Sequence, residues 1–256
     1  MKTTPIGFIG GGRITKIFLQ AFANKIRTFE KVLVFDTNPE VLEKLKKQFP
    51  AVQAVTLDEV SKQSTLFIAL HPPVIMDVLE KIAPLVAPET TVISLAPKIS
   101  IGKIQSKLKV KNVARMIPNA TSYINQGYNP ISFAPDFSSR EKVEILGMLS
   151  NLGENIEVPE SQLEPYALIS AMLPTYFWFQ WKEMISLGSQ MGLTPHESSE
   201  ALVKTLEGSI NLMFKSGMSY DEVTDLIPVK PIGEDEATIR EIYQKKLMGL
   251  FEKIKP

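Results

Sequence analysis

Near the start, Ile6-Gly7-Phe8-Ile9-Gly10-Gly11-Gly12-Arg13-Ile14-Thr15 passes from a short apolar run through three glycines into a helical pattern. A buried strand that turns on glycines into a helix is the opening of a dinucleotide-binding βαβ unit. The glycines allow a tight turn and close approach of the backbone, and the pyrophosphate sits on the free N–H groups of the helix start. Thr15 stands at the third glycine position of G-x-G-x-x-G. Ile14, Ile17, Phe18, Ala21 and Phe22 then recur at helical spacing, and Val32-Leu33-Val34-Phe35 reads as a second buried strand ending at Asp36. Asp36 lies near the usual offset for a carboxylate that binds the adenosine ribose. Gly10, Gly11, Gly12, Arg13, Ile14, Asp36 and Thr37 are therefore the expected cofactor contacts. Leu70, His71 and Pro72, at the end of the fourth strand, are expected to join them. A plain βαβ unit with a surface aspartate is the competing structural reading.

Further strands are expected at Ala51–Val55, Leu66–Leu70, Thr91–Leu95, Val113–Ile117, Ile131–Phe133 and Asn155–Val158. Helical segments at Pro39–Phe49, Val74–Ala83, Ile101–Leu108 and Ser139–Asn151 lie between them. This rhythm predicts an α/β fold with a Rossmann-type, doubly wound parallel sheet over 1–159. Beyond Pro159 helical patterns take over. Thr194-Pro195-His196-Glu197 is a capping box with Pro at the first helical position, opening a helix to about Lys215. Ser219 and Glu222 open a short one, and Glu234–Ile254 is amphipathic. About a hundred helical residues close a core poorly alone, so 160–256 is expected to be an all-α dimerisation domain packed on a second copy. The Phe177, Trp178, Phe179 and Trp181 cluster reads as packing or dimer surface rather than a flavin box.

Lys plus Arg equals Asp plus Glu at 28 each among 256 residues, which leaves no charge footprint for nucleic acid or an anionic membrane. There is no cysteine, so thiolate metal sites and cysteine nucleophiles are excluded, and two histidines do not make a histidine-rich metal site. No signal peptide is expected, and the Met172–Trp181 run is too short to span a bilayer. A soluble, cytoplasmic protein is the expectation.

Several strings resemble the pyrroline-5-carboxylate reductase family. Ile6 to Gly12 is similar to its opening I-G-F-I-G-x-G, and His71-Pro72 stands where it has Lys-Pro. The stretch Ile93-Ser94-Leu95-Ala96, followed by Ile99-Ser100-Ile101, resembles I-S-x-A-A-G-I-S-I. Arg115-Met116-Ile117-Pro118-Asn119 closely matches R-x-M-P-N, with Ile117 at the Met position, and Pro174-Thr175-Tyr176 answers to Pro-Ala-Tyr at the main dimer helix. The resemblance implies an NAD(P)H-dependent enzyme of proline synthesis that reduces a cyclic imine, in a homodimer or larger ring built on C-terminal helices. It also implies that Asn119 lies beside the nicotinamide, as a cofactor contact and candidate catalytic group.

The family's carboxylate-binding V-T-S-P-G-G-T-T is not kept. Here Ile227-Pro228-Val229-Lys230-Pro231-Ile232-Gly233-Glu234 replaces it, losing hydroxyls and two backbone donors. Ser170-Ala171-Met172-Leu173 replaces S-G-S-G, and Lys182 replaces an acid. Lys230 is the candidate substrate-carboxylate ligand. Lys182 is the candidate proton donor, on the helix that the resemblance turns toward the nicotinamide. A solvated loop lysine and a snorkelling helix lysine are the plain alternatives. For the cofactor, a carboxylate about 4 Å from a 2′-phosphate charge costs about 4 kcal/mol at an effective dielectric of 20, so Asp36 leans to NADH. Thr37 and Asn38, with Arg13 in range, are the alternative holders of a 2′-phosphate if Asp36 turns away. A non-catalytic dinucleotide sensor, or a partner-binding protein that lost its substrate loop, is the competing functional class.

Overall fold

The computed structural model describes residues 5–25, 29 and 31–256. Strands β1 (Ile6–Ile9), β2 (Val32–Phe35), β3 (Val52–Ala54), β4 (Thr65–Ile68), β5 (Thr91–Ser94), β6 (Val113–Met116), β7 (Gly127–Phe133) and β8 (Gly153–Glu157) form one sheet in the order 3-2-1-4-5-6-7-8. Helices α1 (Arg13–Asn24), α2 (Pro39–Gln48), α3 (Leu57–Ser61), α4 (Pro72–Ile82), α5 (Ile101–Leu108) and α6 (Ser139–Leu149) connect most of them. The expected α/β architecture is present, with one departure from an all-parallel sheet: β7 runs antiparallel to β6. The connection 117–126 carries only a short turn of 3₁₀ helix and is shorter than the dozen or so residues a parallel crossover needs. The short helix α3 was not expected. Its capping box, Thr56 with Glu59, lies in a segment with too few apolar positions to show a period.

The central strands are buried on both faces, which is why they read as continuous apolar runs. Phe8 of β1 stacks on Phe67 of β4 at 4.7 Å, and Phe18 of α1 meets both rings edge-on. All three are fully buried. These contacts clamp α1 to the sheet and so fix where its N-terminus points. Truncating such a ring costs about 3–5 kcal/mol.

Two compact units divide the chain: 1–172 with 251–256, and 173–250. A change of rhythm at Pro159 suggested an earlier division. Residues 160–172 instead pack with the sheet. Leu163 and Ala167 are buried with Ile117 and Val158, and Ile254 packs against the same cluster. The short helix α7 (Leu163–Tyr166) passes into a single π turn, Ala167–Ala171, closed by Met172 N–H donating to the Ala167 carbonyl at 2.9 Å.

Arg115 of β6 ties this connector down. It is fully buried, donating through Nη1 to Glu160 Oε1 at 2.9 Å and through Nη2 to Glu164 Oε1 at 2.5 Å. Each of those oxygens also accepts a loop amide, Ile101 N–H at 2.7 Å and Lys98 N–H at 3.1 Å.

The second unit holds α8 (Leu173–Gln190), α9 (Pro195–Lys215), α10 (Tyr220–Asp225) and most of α11 (Glu236–Ile254). The Thr194–Glu197 and Ser219–Glu222 capping boxes form as expected. Gly188 lets α8 approach α9 closely, since a Cβ there would lie 2.3 Å from Ser198 Oγ. Tyr176 of α8 and Tyr243 of α11 bring their rings within 6.2 Å. Within 173–250 only Gly188 and Ser198 are buried in the single chain.

Breaking the buried ion pair leaves an uncompensated charge, so Arg115→Leu or Glu164→Leu is expected to lower the unfolding free energy by about 3–5 kcal/mol in denaturant titrations. Wild-type stability in both variants would show that the pair does not hold the connector.

Candidate functional site

The carboxyl ends of β1, β2, β4 and β5 lie at one edge of the sheet, where ligands of open α/β folds bind. Gly10 leaves β1 with φ of +105°, its N–H donating to the Phe35 carbonyl at 2.7 Å. A Cβ at Gly10 would lie 2.4 Å from the Ala69 carbonyl oxygen, so only glycine fits. Thr15, in place of a third glycine, is fully buried, and its hydroxyl donates to the Gly10 carbonyl at 2.6 Å. The side chain that breaks the sequence pattern therefore pins the turn.

Gly12 caps α1 without a side chain to accept the first-turn N–H groups, leaving those donors for an anion. A Cβ at Gly12 would meet nothing within 4 Å, so the approach to them is open. The expected pyrophosphate residues therefore form a cradle of bare amides, and they fit a dinucleotide. Gly11 departs from the others. Its N–H donates to Asp36 Oδ2 at 2.7 Å, so it braces the turn instead of facing the phosphate.

Asp36 Oδ1 accepts the Asn38 N–H at 2.8 Å. Each carboxylate oxygen thus spends one lone pair on the protein and keeps another for a ribose hydroxyl. Thr37 is exposed beside it, and Asn38 is committed to capping α2. Arg13 lines a 280 Å³ cavity next to Gly11 and Gly12, together with Lys16, Lys44 and Gln48. Lys16 and Lys44 carry no glycine-motif signal. They meet here only because α1 and α2 lie side by side.

At β4, Leu70 lies against the Gly10 turn. His71 is the N-cap of α4, with an exposed ring that makes no capping bond, and Pro72 opens the helix. Asn119, after β6, is committed inside the protein. Its Oδ1 accepts from the Thr121 N–H and hydroxyl at 3.0 and 2.9 Å, and its Nδ2 donates to the Ser170 carbonyl and hydroxyl at 3.2 and 3.1 Å. The Ser170 hydroxyl in turn donates to the Tyr128 carbonyl at 2.9 Å. Asn119 thus ties the π turn of the connector to the sheet's ligand end. Burial pushes the Tyr128 phenol up, with Tyr166 adding to the shift.

In the other unit, Lys182 is exposed on α8 and Lys230 lines a 400 Å³ cavity with Ile227, Pro231, Ile232 and Ile239. Among the described residues, no helix is long and apolar enough to cross a membrane.

Residues 5–98 match the model of a family described as NADP oxidoreductase, coenzyme F420-dependent. The chain is 21% identical over 249 residues to a pyrroline-5-carboxylate reductase of Staphylococcus haemolyticus, covering 96% of this chain and 92% of that one. It is 22% identical to a pyrroline-5-carboxylate reductase of Corynebacterium melassecola, over 97% of this chain and 93% of that one. Among solved structures, the pyrroline carboxylate reductase of Plasmodium falciparum with NADP bound superposes with a TM-score of 0.80 at 20% identity, over 99% of this chain and 96% of that one.

Replacing Gly10 by Ala puts a methyl group into the Ala69 carbonyl at a backbone angle that alanine avoids. Gly10→Ala is expected to weaken dinucleotide binding by about a hundredfold or more in calorimetric titration. An unchanged dissociation constant would remove the cradle from this turn.

Proposed function

We propose that this pyrroline-5-carboxylate reductase-like chain is an NAD(P)H-dependent oxidoreductase that reduces the C=N bond of a small cyclic imine, or of a related imino or keto acid. The observation that carries this reading is the glycine-only turn at Gly10, opening onto the uncapped start of α1. The likeness to reductases continues through the helical unit, which disfavours the reading of a bare dinucleotide sensor.

A bound nicotinamide would supply the hydride for the imine carbon, and Lys182 would supply the proton for the nitrogen, so that the C=N bond becomes a secondary amine. A protonated imine already carries the electrophile's charge, so the protein's task is placement and exclusion of water. Gly12, Arg13 and Ile14 would hold the pyrophosphate, and Asp36 with Thr37 the adenosine ribose. Leu70, His71 and Pro72 would border the cofactor. Asn119 would act by holding Ser170 and the π turn in register with the sheet edge. Lys182 would be the proton donor and Lys230 the carboxylate ligand. With the family's hydroxyl-rich loop replaced, pyrroline-5-carboxylate itself would not be the best substrate.

Asp36 supports NADH, because its charge opposes a 2′-phosphate while its free lone pairs suit a ribose diol. On this basis Asp36→Ser is expected to raise the NADPH-to-NADH ratio of kcat/KM by about tenfold or more. An unchanged ratio would show that Asp36 does not set cofactor choice. Oxidation of either reduced dinucleotide with 3,4-dehydroproline or pyrroline-5-carboxylate, followed by absorbance, tests the activity itself. Tight dinucleotide binding without turnover across a broad imine panel would return the sensor reading.

The helical unit supports a homodimer. Phe179, Met191 and Phe214 are each more than two-thirds exposed in the single chain, in a unit with no buried apolar side chain. Sedimentation is expected to give at least twice the 28.6 kDa chain mass, and a stable monomer at micromolar concentration would overturn this.

A further inference from the structure

Lys98 adopts φ of +77°, a region that glycine enters freely and lysine does not. Two other non-glycine residues share a positive φ among the described residues, Lys109 and Asn125, and both close helical turns, where that conformation is ordinary. Lys98 closes no helix. It stands in the loop between β5 and α5, at the position where the family string quoted above has glycine.

The loop is pinned on both sides. Leu95 and Ala96 are buried before it, and Ile99 and Ile101 after it. The Lys98 N–H is held by Glu164, itself 2% exposed and paired with Arg115. The lysine side chain, by contrast, is exposed, and its ammonium makes no ion pair among the described residues. Strain sustained by a buried surround, with a free charge at the ligand end of a sheet, is the pattern of a functional residue. β4, β5 and β6 are neighbours, and their carboxyl ends lead into His71, Lys98 and Asn119.

We propose that Lys98 binds the carboxylate of the substrate, so that the chain selects anionic imines through a cation in its sheet-bearing unit. This rests on the imine-reductase reading and adds a carboxylate ligand to Lys230. A compact ammonium on a flexible stem suits a carboxylate, and a fixed backbone turn limits where that stem begins.

The test compares pyrroline-5-carboxylate with 1-pyrroline, which lacks the carboxylate, in the full-length protein. Lys98→Gly and Lys98→Ala are expected to raise KM for pyrroline-5-carboxylate about tenfold. KM for the dinucleotide is expected to stay unchanged and kinetics on 1-pyrroline to stay within about twofold, while Lys98→Arg restores most of the loss. Lys98→Gly is expected to unfold at the wild-type temperature or higher, because glycine relieves the backbone, so misfolding would not mimic the result. An equal effect on both imines, no effect on either, or a carboxylate dependence that moves only with Lys230→Ala overturns the proposal. Should the wild type reduce neither imine, the imine-reductase reading fails. Calorimetric titration of L-proline against pyrrolidine into wild type and Lys98→Gly then still decides the binding role: L-proline binding lost only in the variant supports it, and equal binding ends it.

Discussion

The guanidinium of Arg115 is the point on which the connector beyond β8 and the loop after β5 are joined to the sheet. A fully buried cation is expensive unless its charge is opposed; Glu160 and Glu164 oppose it and accept from both Nη atoms, while Nε has no partner among the described residues. Because the two acids also accept the amides of Ile101 and Lys98, one charge cluster joins four segments: β6, the loop after β5, the start of α5 and the connector beyond β8. Packing alone would leave those loops free to slide. Charge-assisted hydrogen bonds of fixed geometry do not.

The Gly10 turn is shaped by its backbone and braced by one hydroxyl and one carboxylate. At Gly10 the chain passes so close to the Ala69 carbonyl that no side chain fits, and the buried Thr15 hydroxyl and the Asp36 carboxylate hold the turn from two directions. The same close approach that forbids a side chain would allow a ligand phosphate to reach the amides of α1. Rigidity there comes from contacts within the protein, which suits a reaction that needs placement more than side-chain chemistry.

The two units differ in how they satisfy their apolar surface. The sheet-bearing unit closes a core around Phe8, Phe18 and Phe67. The helical unit buries almost nothing by itself, so its long helices and capping boxes specify local structure while their apolar faces stay exposed in the single chain.

Much of this was legible in the residues alone. Period and punctuation expose the strand–glycine–helix opening, the alternation of strands and helices, and the caps at Thr194 and Ser219, because each depends on neighbours within a few positions. The antiparallel direction of β7 was not read from the sequence, because a run of apolar residues carries no direction; the short 117–126 connection accounts for it. Position along the chain likewise could not show that Glu160 and Glu164 meet Arg115, that Asn119 spends its amide on Ser170, or that Arg13, Lys16 and Lys44 share a cavity. Those pairings join residues far apart in sequence, or on separate helices, and exist only once the sheet has ordered its strands. The sequence by itself determined the class of fold and the bare-amide cradle, since both are local. The tertiary structure decided which polar groups are already used within the protein and which, like the Lys98 ammonium, are left facing outward.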